Sequence, residues 1–398
     1  MEPMLRFKAD DGSDFPDWEE KTLGEICEQL KASIDPRNNP TKQFIEYSMP
    51  AYDNHMAAQV VLGQSMNSAR KILSAPCVLI NKLNVRKRRI WVVEHPEDNA
   101  VCSSEFVPLT SAESDLRFLG YLAMTDSFTS YLLDCSSGSS NSQKRVTPDT
   151  ILQYLVSLPS LPEQRKIADL LSAVDDVISA QEAEVAAWEK RKKGVMQKLF
   201  SQEVRFKADD GSDFPDWEEQ KIEDVCVLNP RTEQLDDEFY YMDLGSIDHG
   251  RWEAPEIVNK VDAPSRAQRV AAIDDVFFQS VRPYNMGHYH YVAAKDKQVV
   301  ASTGYIQARM RNGSNAFLYQ LFYEERFNAE VNARCTGSNY PAINSRKFGE
   351  ITVALPSLPE QRKIADCLSA LDDVIIKAKN ELAKWQELKK GLLQQMFV

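Results

Sequence analysis

Residues 158–200 read LPSLPEQRKIADLLSAVDDVISAQEAEVAAWEKRKKGVMQKLF, and residues 355–397 read LPSLPEQRKIADCLSALDDVIIKAKNELAKWQELKKGLLQQMF. The first twelve residues of the two stretches are identical, and the remainder keeps its apolar positions while its polar positions differ. A stretch that recurs within one chain marks a duplicated structural unit, so this repeat organises the interpretation of the whole sequence.

Each copy carries a heptad pattern whose steps alternate between four and three residues. The residues that we predict to form the seam of a helix pair are Ile167, Leu171, Val174, Ile178, Val185 and Trp188 in the first copy, and Ile364, Leu368, Leu371, Ile375, Leu382 and Trp385 in the second. Pro162 and Pro359 precede Glu and Gln, a pattern typical of a first helical turn. Each copy is therefore predicted to be one helix of about 38 residues, roughly 57 Å long.

The narrow apolar seam predicts that each long helix has one partner helix, and the chain carries a twin. A pseudo-two-fold axis relating two such repeats reverses one helix against the other, so we predict antiparallel pairing. The alternative is two unrelated amphipathic helices, each packed on its own domain.

Composition limits the class of protein. The 398 residues allow two or three domains. No secretory segment and no run of 18 apolar residues is present, which predicts a cytoplasmic protein without a membrane segment. Seven scattered cysteines, never spaced CxxC, indicate free thiols and argue against a metal site. The net charge of −12 means that any nucleic-acid contact depends on local cationic clusters or on a partner.

A second repeat lies upstream of the first. Residues 6–20, RFKADDGSDFPDWEE, recur letter for letter as residues 205–219. The chain is thus two cassettes, each with a leader, a variable middle and a long helix. We place the first domain at 1–157, its long helix at 158–200, the second domain at 201–354 and its long helix at 355–398.

The two middles, 21–157 and 220–354, have nearly equal length but little common sequence. A common scaffold with different surfaces is what two recognition modules for two different targets would show. The alternative is simple divergence after duplication, but divergence alone would not leave the flanking segments identical.

The first middle contains a cationic cluster. Residues 69–93 alternate like a hairpin whose turn region is basic, and a helical pattern at 114–134 leads into the polar loop SSGSSNSQKR. The predicted contacts with phosphates or base edges are Lys82, Arg86, Lys87, Arg88, Arg89, Ser139, Ser140, Asn141, Lys144 and Arg145. The alternative is an ordinary solvated strand end.

The second middle repeats this order with different letters. Strands at 274–281 and 288–294 flank a turn, and a helical pattern at 315–331 precedes the loop at 335–347. The predicted contacts are Arg282, Tyr284, Asn285, His288, Ser338, Asn339, Tyr340 and Arg346. For His288 and His290 a metal would need a third ligand, so packing or DNA contact is the better interpretation.

Motifs for catalysis are missing. The chain has no GxxxxGK[ST] loop for ATP, no complete methyltransferase motif, and no nucleophile–histidine arrangement among its five histidines. Any chemistry is therefore expected on a partner.

The doubled LPSLPEQRKIA motif, followed by spaced DD-V-I and a long helix that closes each half, resembles the specificity subunits of type I DNA restriction-modification enzymes. The resemblance covers essentially the whole chain. It implies an α+β protein with two pseudo-two-fold-related target-recognition domains separated by a long antiparallel two-helix coiled coil. The RPYN turn and the TGSNYPAIN loop resemble segments that lie at the DNA in this family.

The resemblance further implies that each variable domain reads one half of a bipartite, asymmetric site in double-stranded DNA. The expected partners are two methyltransferase subunits and ATP-dependent restriction subunits, which would carry S-adenosylmethionine, ATP and Mg. No cofactor, metal or catalytic residue is expected in this chain. The rival hypotheses are a fused DNA methyltransferase and a coiled-coil scaffold without sequence preference.

Overall fold

The computed structural model describes residues 3–138, 143–231, 234–248, 250–252 and 254–397. The chain forms two compact units. Unit 1 comprises Met1–Glu182 with Asn380–Val398, and unit 2 comprises Ala183–Lys379. Each unit therefore contains one variable domain together with one end of each long helix.

Unit 1 contains eleven strands among its described residues, in three sheets. The strands are β1 Glu19–Thr22, β2 Glu28–Gln29, β3 Ser33–Ile34, β4 Gln43–Tyr47, β5 Gln59–Leu62, β6 Arg70–Ile72, β7 Cys77–Asn81, β8 Ile90–Val93, β9 Ala100–Ser103, β10 Phe106–Thr110 and β11 Leu155–Leu158. The helices are α1 Leu23–Ile26, α2 Met49–Asp53, α3 Leu116–Ala123, α4 Asp126–Asp134, α5 Pro148–Leu152 and the long α6 Leu161–Phe200, which continues into unit 2.

Unit 2 repeats most of this series among its described residues, with an additional two-stranded sheet, β15-β16, and without a helix corresponding to α2. Its strands are β12 Glu218–Lys221, β13 Cys226–Leu228, β14 Glu238–Met242, β15 Ile247–Asp248, β16 Arg251–Trp252, β17 Glu256–Asn259, β18 Ala267–Val270, β19 Asp275–Gln279, β20 Tyr289–Tyr291, β21 Val299–Ser302, β22 Tyr305–Met310 and β23 Thr352–Leu355. Its helices are α7 Ile222–Val225, α8 Asn315–Leu321, α9 Glu325–Arg334, α10 Ser345–Gly349 and the long α11 Leu358–Met396, whose end belongs to unit 1.

The two variable domains share one scaffold. The sheet ordered β2-β10-β7-β8 in unit 1 corresponds to β13-β22-β19-β20 in unit 2, and the pair β1-β11 corresponds to β12-β23. In the remaining large sheet of each unit, one parallel pair, β4 with β9 or β14 with β21, lies among antiparallel neighbours. The fold class is α+β with a duplicated domain, as the sequence predicts.

Two local expectations need correction. The stretch 69–93 is not one hairpin, because β6 joins a different sheet from the β7–β8 hairpin. The helical stretches 114–134 and 315–331 are each two helices. The second helix of each pair begins at an N-cap residue, Thr125 or Glu324. The side chain of this residue accepts a hydrogen bond from the backbone N–H three residues later, so a new helix starts there.

The long helices pair antiparallel within each unit. The Nζ atoms of Lys389, Lys379 and Lys192 lie 2.5, 2.7 and 2.6 Å from carboxylate oxygens of Asp175, Glu189 and Asp372, so numbering rises along α6 as it falls along α11. Of the predicted seam residues, Ile167, Leu171, Val174, Val185, Ile364, Leu368 and Ile375 are buried, whereas Ile178, Trp188, Leu371, Leu382 and Trp385 are half-buried.

Two carboxylates join the helix pair to the variable domains. Asp175 accepts hydrogen bonds from the hydroxyl of Tyr121 on α3 (2.8 Å) and from the ammonium group of Lys389 on α11. Asp372 likewise accepts bonds from the amide of Gln320 on α8 (2.8 Å) and from Lys192 on α6. Each of these carboxylates thus links the two long helices and one helix of the variable domain, at equivalent places in the two units.

The leader is bound to the start of its long helix by a buried ion pair. Glu163 has no exposed side-chain surface, and its two oxygens accept bonds from the guanidinium of Arg6 (3.1 and 3.0 Å). The indole N–H of Trp18 donates a third bond to it (3.1 Å). In unit 2, Arg205 makes the same pair with Glu360 (3.1 and 2.8 Å). These contacts explain why the motif and the leader recur together.

The core of unit 2 encloses His288, so the prediction that this residue contacts DNA is wrong. His288 is fully buried, stacks on Phe278 with ring centroids 4.3 Å apart, and accepts the backbone N–H of Gln279 at Nδ1 (3.0 Å). The alternating HYHY pattern does not distinguish a histidine facing an aromatic core from one facing solvent. His290 bonds Asp274 (2.7 Å) instead.

None of the helices in the described part of the chain is both long and apolar enough to cross a membrane.

Removing the buried carboxylate should destabilise unit 1. Glu163→Ala leaves the partly buried Arg6 without its counter-ion, and we expect the free energy of unfolding to fall by about 3–5 kcal/mol, measured by urea unfolding. Glu360→Ala should cost somewhat less, because the indole of Trp217 donates no bond among the described residues. Asp10→Ala, which removes an exposed ion pair with Lys166, serves as the control and should change stability little. Equal effects of Glu163→Ala and Asp10→Ala would contradict the role of the buried pair.

The free energy of unfolding should also fall as the pH is lowered, because His288 is buried. Burial lowers the pKa of His288 to about 3, whereas the unfolded chain has a histidine pKa of about 6.5. Below pH 6.5 the unfolded state therefore binds a proton that the folded state does not, and this group removes about 1.4 kcal/mol of stability per pH unit.

The measurement compares urea unfolding of the natural chain and the His288→Gln variant at pH 6.5, 5.5 and 4.5. As the pH is lowered, the free energy of unfolding of the natural chain should decline faster than that of the variant, by about 1.4 kcal/mol per pH unit. Parallel curves would show that His288 is protonated in the folded protein.

Candidate nucleic-acid interface

In unit 2 the structure brings together two segments that the sequence places far apart. Val281 forms an antiparallel bridge with Ala342, and Ala342 forms a second bridge with Thr336. The backbone N–H of Arg282 donates to the carbonyl of Pro341 at 2.7 Å. The turn at 282–285 and the loop at 336–342 therefore make one surface.

Arg282 is the centre of this surface. Its backbone lies in the left-handed region, with φ 52° and ψ 59°, which a residue with a side chain adopts only under constraint from its surroundings. Its guanidinium carbon lies 4.3 Å from the ring centroid of Tyr340, a cation–π contact that holds the two side chains together. Tyr340 and Tyr284 remain 65% and 56% exposed. Exposed rings and a guanidinium together can stack on bases and bind phosphates.

The other predicted residues of unit 2 surround this centre or lie on the following helix. Asn285, Ser338 and Asn339 are exposed in the turn and the loop. Gly337 has φ 97°, and a Cβ there would lie 2.9 Å from the carbonyl oxygen of Tyr340, so glycine is required for the loop to close. Arg346 is on α10, where it pairs with Glu350 at 3.3 Å.

Unit 1 has the same arrangement with different side chains. Leu83 and Ser137 each bridge Arg145, and the backbone N–H of Asn84 donates to the carbonyl of Lys144 at 2.8 Å. Asn84 has φ 53° and thus takes the place that Arg282 occupies in unit 2. Asn84 is not among the residues predicted from the sequence, because its side chain carries no charge. Superimposing the two halves by their repeats would have found it.

The basic tract of unit 1 does not act as one cluster. Arg86 and Lys87 are exposed, and Lys82 is half-buried. Arg88 donates to the carbonyl of Met124 (2.8 Å) and pairs with Asp126, beside a cavity of about 200 Å³ that is also lined by Lys390 of α11. Exposed cations available for phosphates are thus fewer than the sequence predicts.

Arg89 is withdrawn from the predicted DNA contacts. Its side chain is only 10% exposed, its guanidinium pairs with Asp53 at 2.7 and 2.8 Å, and its backbone N–H donates to Asn81. Asp53 is held by this guanidinium, which lowers the pKa of the carboxyl. Arg89 therefore stabilises the β7–β8 hairpin.

The structure describes only some of the remaining residues that are predicted to contact DNA in unit 1. Arg145 pairs with Glu105 at 2.9 Å, and Lys144 is half-buried. Ser139, Ser140 and Asn141 lie outside the described residues. Within the described ranges, no group of three or more His, Cys, Asp or Glu residues could hold a metal ion.

Comparisons with known proteins match this duplicated architecture. The family model for the type I restriction modification DNA specificity domain matches residues 16–187 and 215–385. The MjaVIII type I restriction enzyme specificity subunit of Methanocaldococcus jannaschii is 25% identical over 258 residues, which are 61% of this chain and 61% of that protein. The HindI specificity subunit of Haemophilus influenzae is 22% identical over 165 residues, 41% of this chain and 36% of its own length. The match thus spans about three fifths of the MjaVIII subunit.

Solved structures share the fold. The S subunit of a type I restriction-modification system from M. genitalium superimposes with a TM-score of 0.58 at 15% identity, covering 100% of this chain and 99% of that one. A chain solved for the complex assembly and conformational transition of a type I R-M system gives a TM-score of 0.57 at 21% identity, with 96% and 97% covered. Both halves of the chain match the family model, and the chain therefore belongs to the type I restriction modification DNA specificity domain family.

Proposed function

We propose that this chain is the DNA-recognition subunit of a type I restriction-modification system. Each unit reads one half of a bipartite, asymmetric site in double-stranded DNA, and the complex methylates adenine or cleaves DNA according to that reading. The proposal rests chiefly on one observation. At equivalent places of the same backbone arrangement, unit 2 carries Arg282 with Tyr340 and Pro341, and unit 1 carries Asn84 with Gln143 and Lys144. Equal scaffolds with unequal side chains suit two different half-sites.

The chain itself is proposed to be non-catalytic. Methyl transfer with S-adenosylmethionine and ATP-dependent restriction with Mg belong, in this proposal, to two methyltransferase subunits and to restriction subunits. We place the complex in the cytoplasm, where the seven free cysteines would stay reduced. The acidic net charge of −12 is compatible with DNA binding if partner subunits supply cations around the duplex.

The decisive experiment is co-expression with the methyltransferase subunit of the same system, followed by genome-wide mapping of modified adenines. One bipartite motif with a constant gap is the expected result. Methylation by the purified chain alone with S-adenosylmethionine would instead show a fused methyltransferase. Complexes without any sequence preference would show a scaffold.

Arg282→Ala should damage the reading of one half-site only. Loss of one base-directed contact typically costs about 1–3 kcal/mol of discrimination, or about 5–150-fold, at the positions it reads. The measurement is methylation of a panel of sites in which each half is varied separately. Lys260→Ala is the matched control and should leave the motif unchanged, because this exposed cation follows β17, which lies in a different sheet from the strands flanking the turn. Loss of assembly with the methyltransferase, or an effect on both halves, would contradict the assignment of Arg282.

Neutralising Arg86 and Lys87 together with glutamine should weaken DNA binding equally for all sequences. Each phosphate contact contributes about 0.9 to the slope of log K against log salt, so the magnitude of the slope should fall by roughly 1–2. The measurement is a salt titration of binding by the assembled complex. Arg89→Gln is the control, because this buried arginine should affect stability and leave the salt slope unchanged. A changed salt slope with Arg89→Gln alone would contradict the assignment of phosphate contacts to Arg86 and Lys87 and of a structural role to Arg89.

A further inference from the structure

The turns that carry the candidate DNA contacts have the same length and the same pattern of exposure in both units. One turn, at 82–88, follows β7 in unit 1, and the other, at 280–286, follows β19 in unit 2. In each turn the fourth residue, Val85 or Pro283, is buried, and the next two residues are exposed. The exposed residues are Arg86 and Lys87 in unit 1, and Tyr284 and Asn285 in unit 2.

A buried amide closes the turn of unit 2 from inside. Gln279, the last residue of β19, is only 2% exposed. Its Oε1 accepts the backbone N–H of Gly287, just after the turn, at 2.8 Å, and its Nε2 donates to the carbonyl of Val281, within the turn, at 3.0 Å. Val281 is the residue that bridges Ala342 of the loop and precedes Arg282. One side chain thus holds both ends of the turn and the residue that contacts the loop.

Asn81 makes the same two bonds in unit 1. This last residue of β7 is also 2% exposed. Its Oδ1 accepts the backbone N–H of Arg89 at 3.1 Å, and its Nδ2 donates to the carbonyl of Leu83 at 2.9 Å. Leu83 in turn bridges Arg145 of the loop. An amide can make both bonds because it carries an acceptor and a donor group in one rigid plane.

The length of each amide side chain matches the residue that faces it across the turn. Gln279 is one methylene longer than Asn81, and a Cβ at Gly287 would lie 2.3 Å from its Oε1. The long amide therefore requires glycine at this position. Asn81 faces Arg89, because the shorter amide leaves room for a Cβ. Gln with Gly and Asn with Arg are thus two solutions of the same steric constraint.

Both amides use their polar atoms inside the turn, so any influence on DNA acts through the exposed residues. Base-directed hydrogen bonds need side chains that are held within about 0.5 Å of the productive geometry. In unit 2 the cation–π contact between Arg282 and Tyr340 depends on the turn and the loop staying together. The bonds from Gln279 to Val281 and Gly287 supply this support from a position that DNA does not reach.

We propose that Asn81 and Gln279 are positioning residues for DNA recognition, each of which sets the position of its own turn and thereby the base preference of one half-site. The proposal rests on the proposed function, because it assigns these residues to the reading of bases. It also implies that the amide and the residue facing it act as one exchangeable pair, so that the arrangement of unit 1 can replace that of unit 2.

The test breaks and then restores the pair in unit 2. Gly287→Ala places a Cβ against the amide, and Gln279→Met removes both bonds at similar volume. The double variant Gln279→Asn with Gly287→Ala recreates the short amide of unit 1 facing a side chain. The matched control is Gln307→Met, since Gln307 on β22 is an equally buried amide, 1% exposed, that donates to Asp275 and not to the turn.

Each full-length variant is assembled with the methyltransferase subunit of the same system. Methylation is then measured on sites in which each half is varied separately, and urea unfolding of each chain is measured beside it. Gly287→Ala and Gln279→Met should each reduce discrimination at the half-site of unit 2 by about tenfold or more and leave the other half-site unchanged. The double variant should restore discrimination to within about threefold of the natural chain. Gln307→Met should lower the free energy of unfolding and leave discrimination unchanged.

Unchanged discrimination with Gln279→Met would overturn the proposal. An equal loss with Gln307→Met would overturn it as well, because the amides would then serve stability alone. If Gln279→Met does not fold, Gly287→Ala and the double variant decide, and a double variant as impaired as Gly287→Ala would contradict the exchangeable pair. Failure of the proposed function is distinct, since the natural chain with its methyltransferase would then yield no bipartite motif.

Discussion

Antiparallel pairing of two long helices is the constraint on which the rest of the structure depends. A helix with a narrow apolar seam is not stable alone in water, because its stability comes mainly from packing that seam against another surface. In unit 1 the start of α6 packs with Met396 and Phe397 at the end of α11, and in unit 2 Met196 and Leu199 pack with the start of α11. Each unit is therefore complete only when both cassettes contribute to it.

The helix pair also determines how each variable domain is held. Asp175 and Asp372 lie between a lysine of the opposite helix and a side chain of the domain, and Glu163 and Glu360 hold the leaders. Because carboxylates at these positions have several donors each, their loss would leave buried partners unsatisfied. This dependence accounts for segments that stay identical while the middles change.

The charged side chains are distributed unevenly over the surface of each unit. The exposed carboxylates of the two leaders are the same in both units. The surface around Arg282 carries a guanidinium and exposed aromatic rings, whereas the corresponding turn of unit 1 carries the amide of Asn84. An acidic protein can thus still carry local surfaces whose charge differs from that of the whole chain. Arg282 and Asn84 both have a left-handed backbone, so the two turns share one geometry although their side chains differ.

The sequence by itself determined the duplication, the antiparallel pair and the approximate place of the turn and loop in each half, because repeats and heptad spacing are properties of the order of residues. The α+β class followed from the resemblance to a known family. Tertiary structure alone decided which polar residues are free. Arg89 and His288 are residue types that often contact DNA, but both are buried here. The partners that enclose them, Asp53 for Arg89 and Phe322 and Tyr323 for His288, lie far from them in sequence. Asn84 carries no charge that would mark it, and its bond to the carbonyl of Lys144, next to the bridge between Leu83 and Arg145, places it beside the loop. Burial and partnership depend on contacts between distant segments, and local pattern does not contain them.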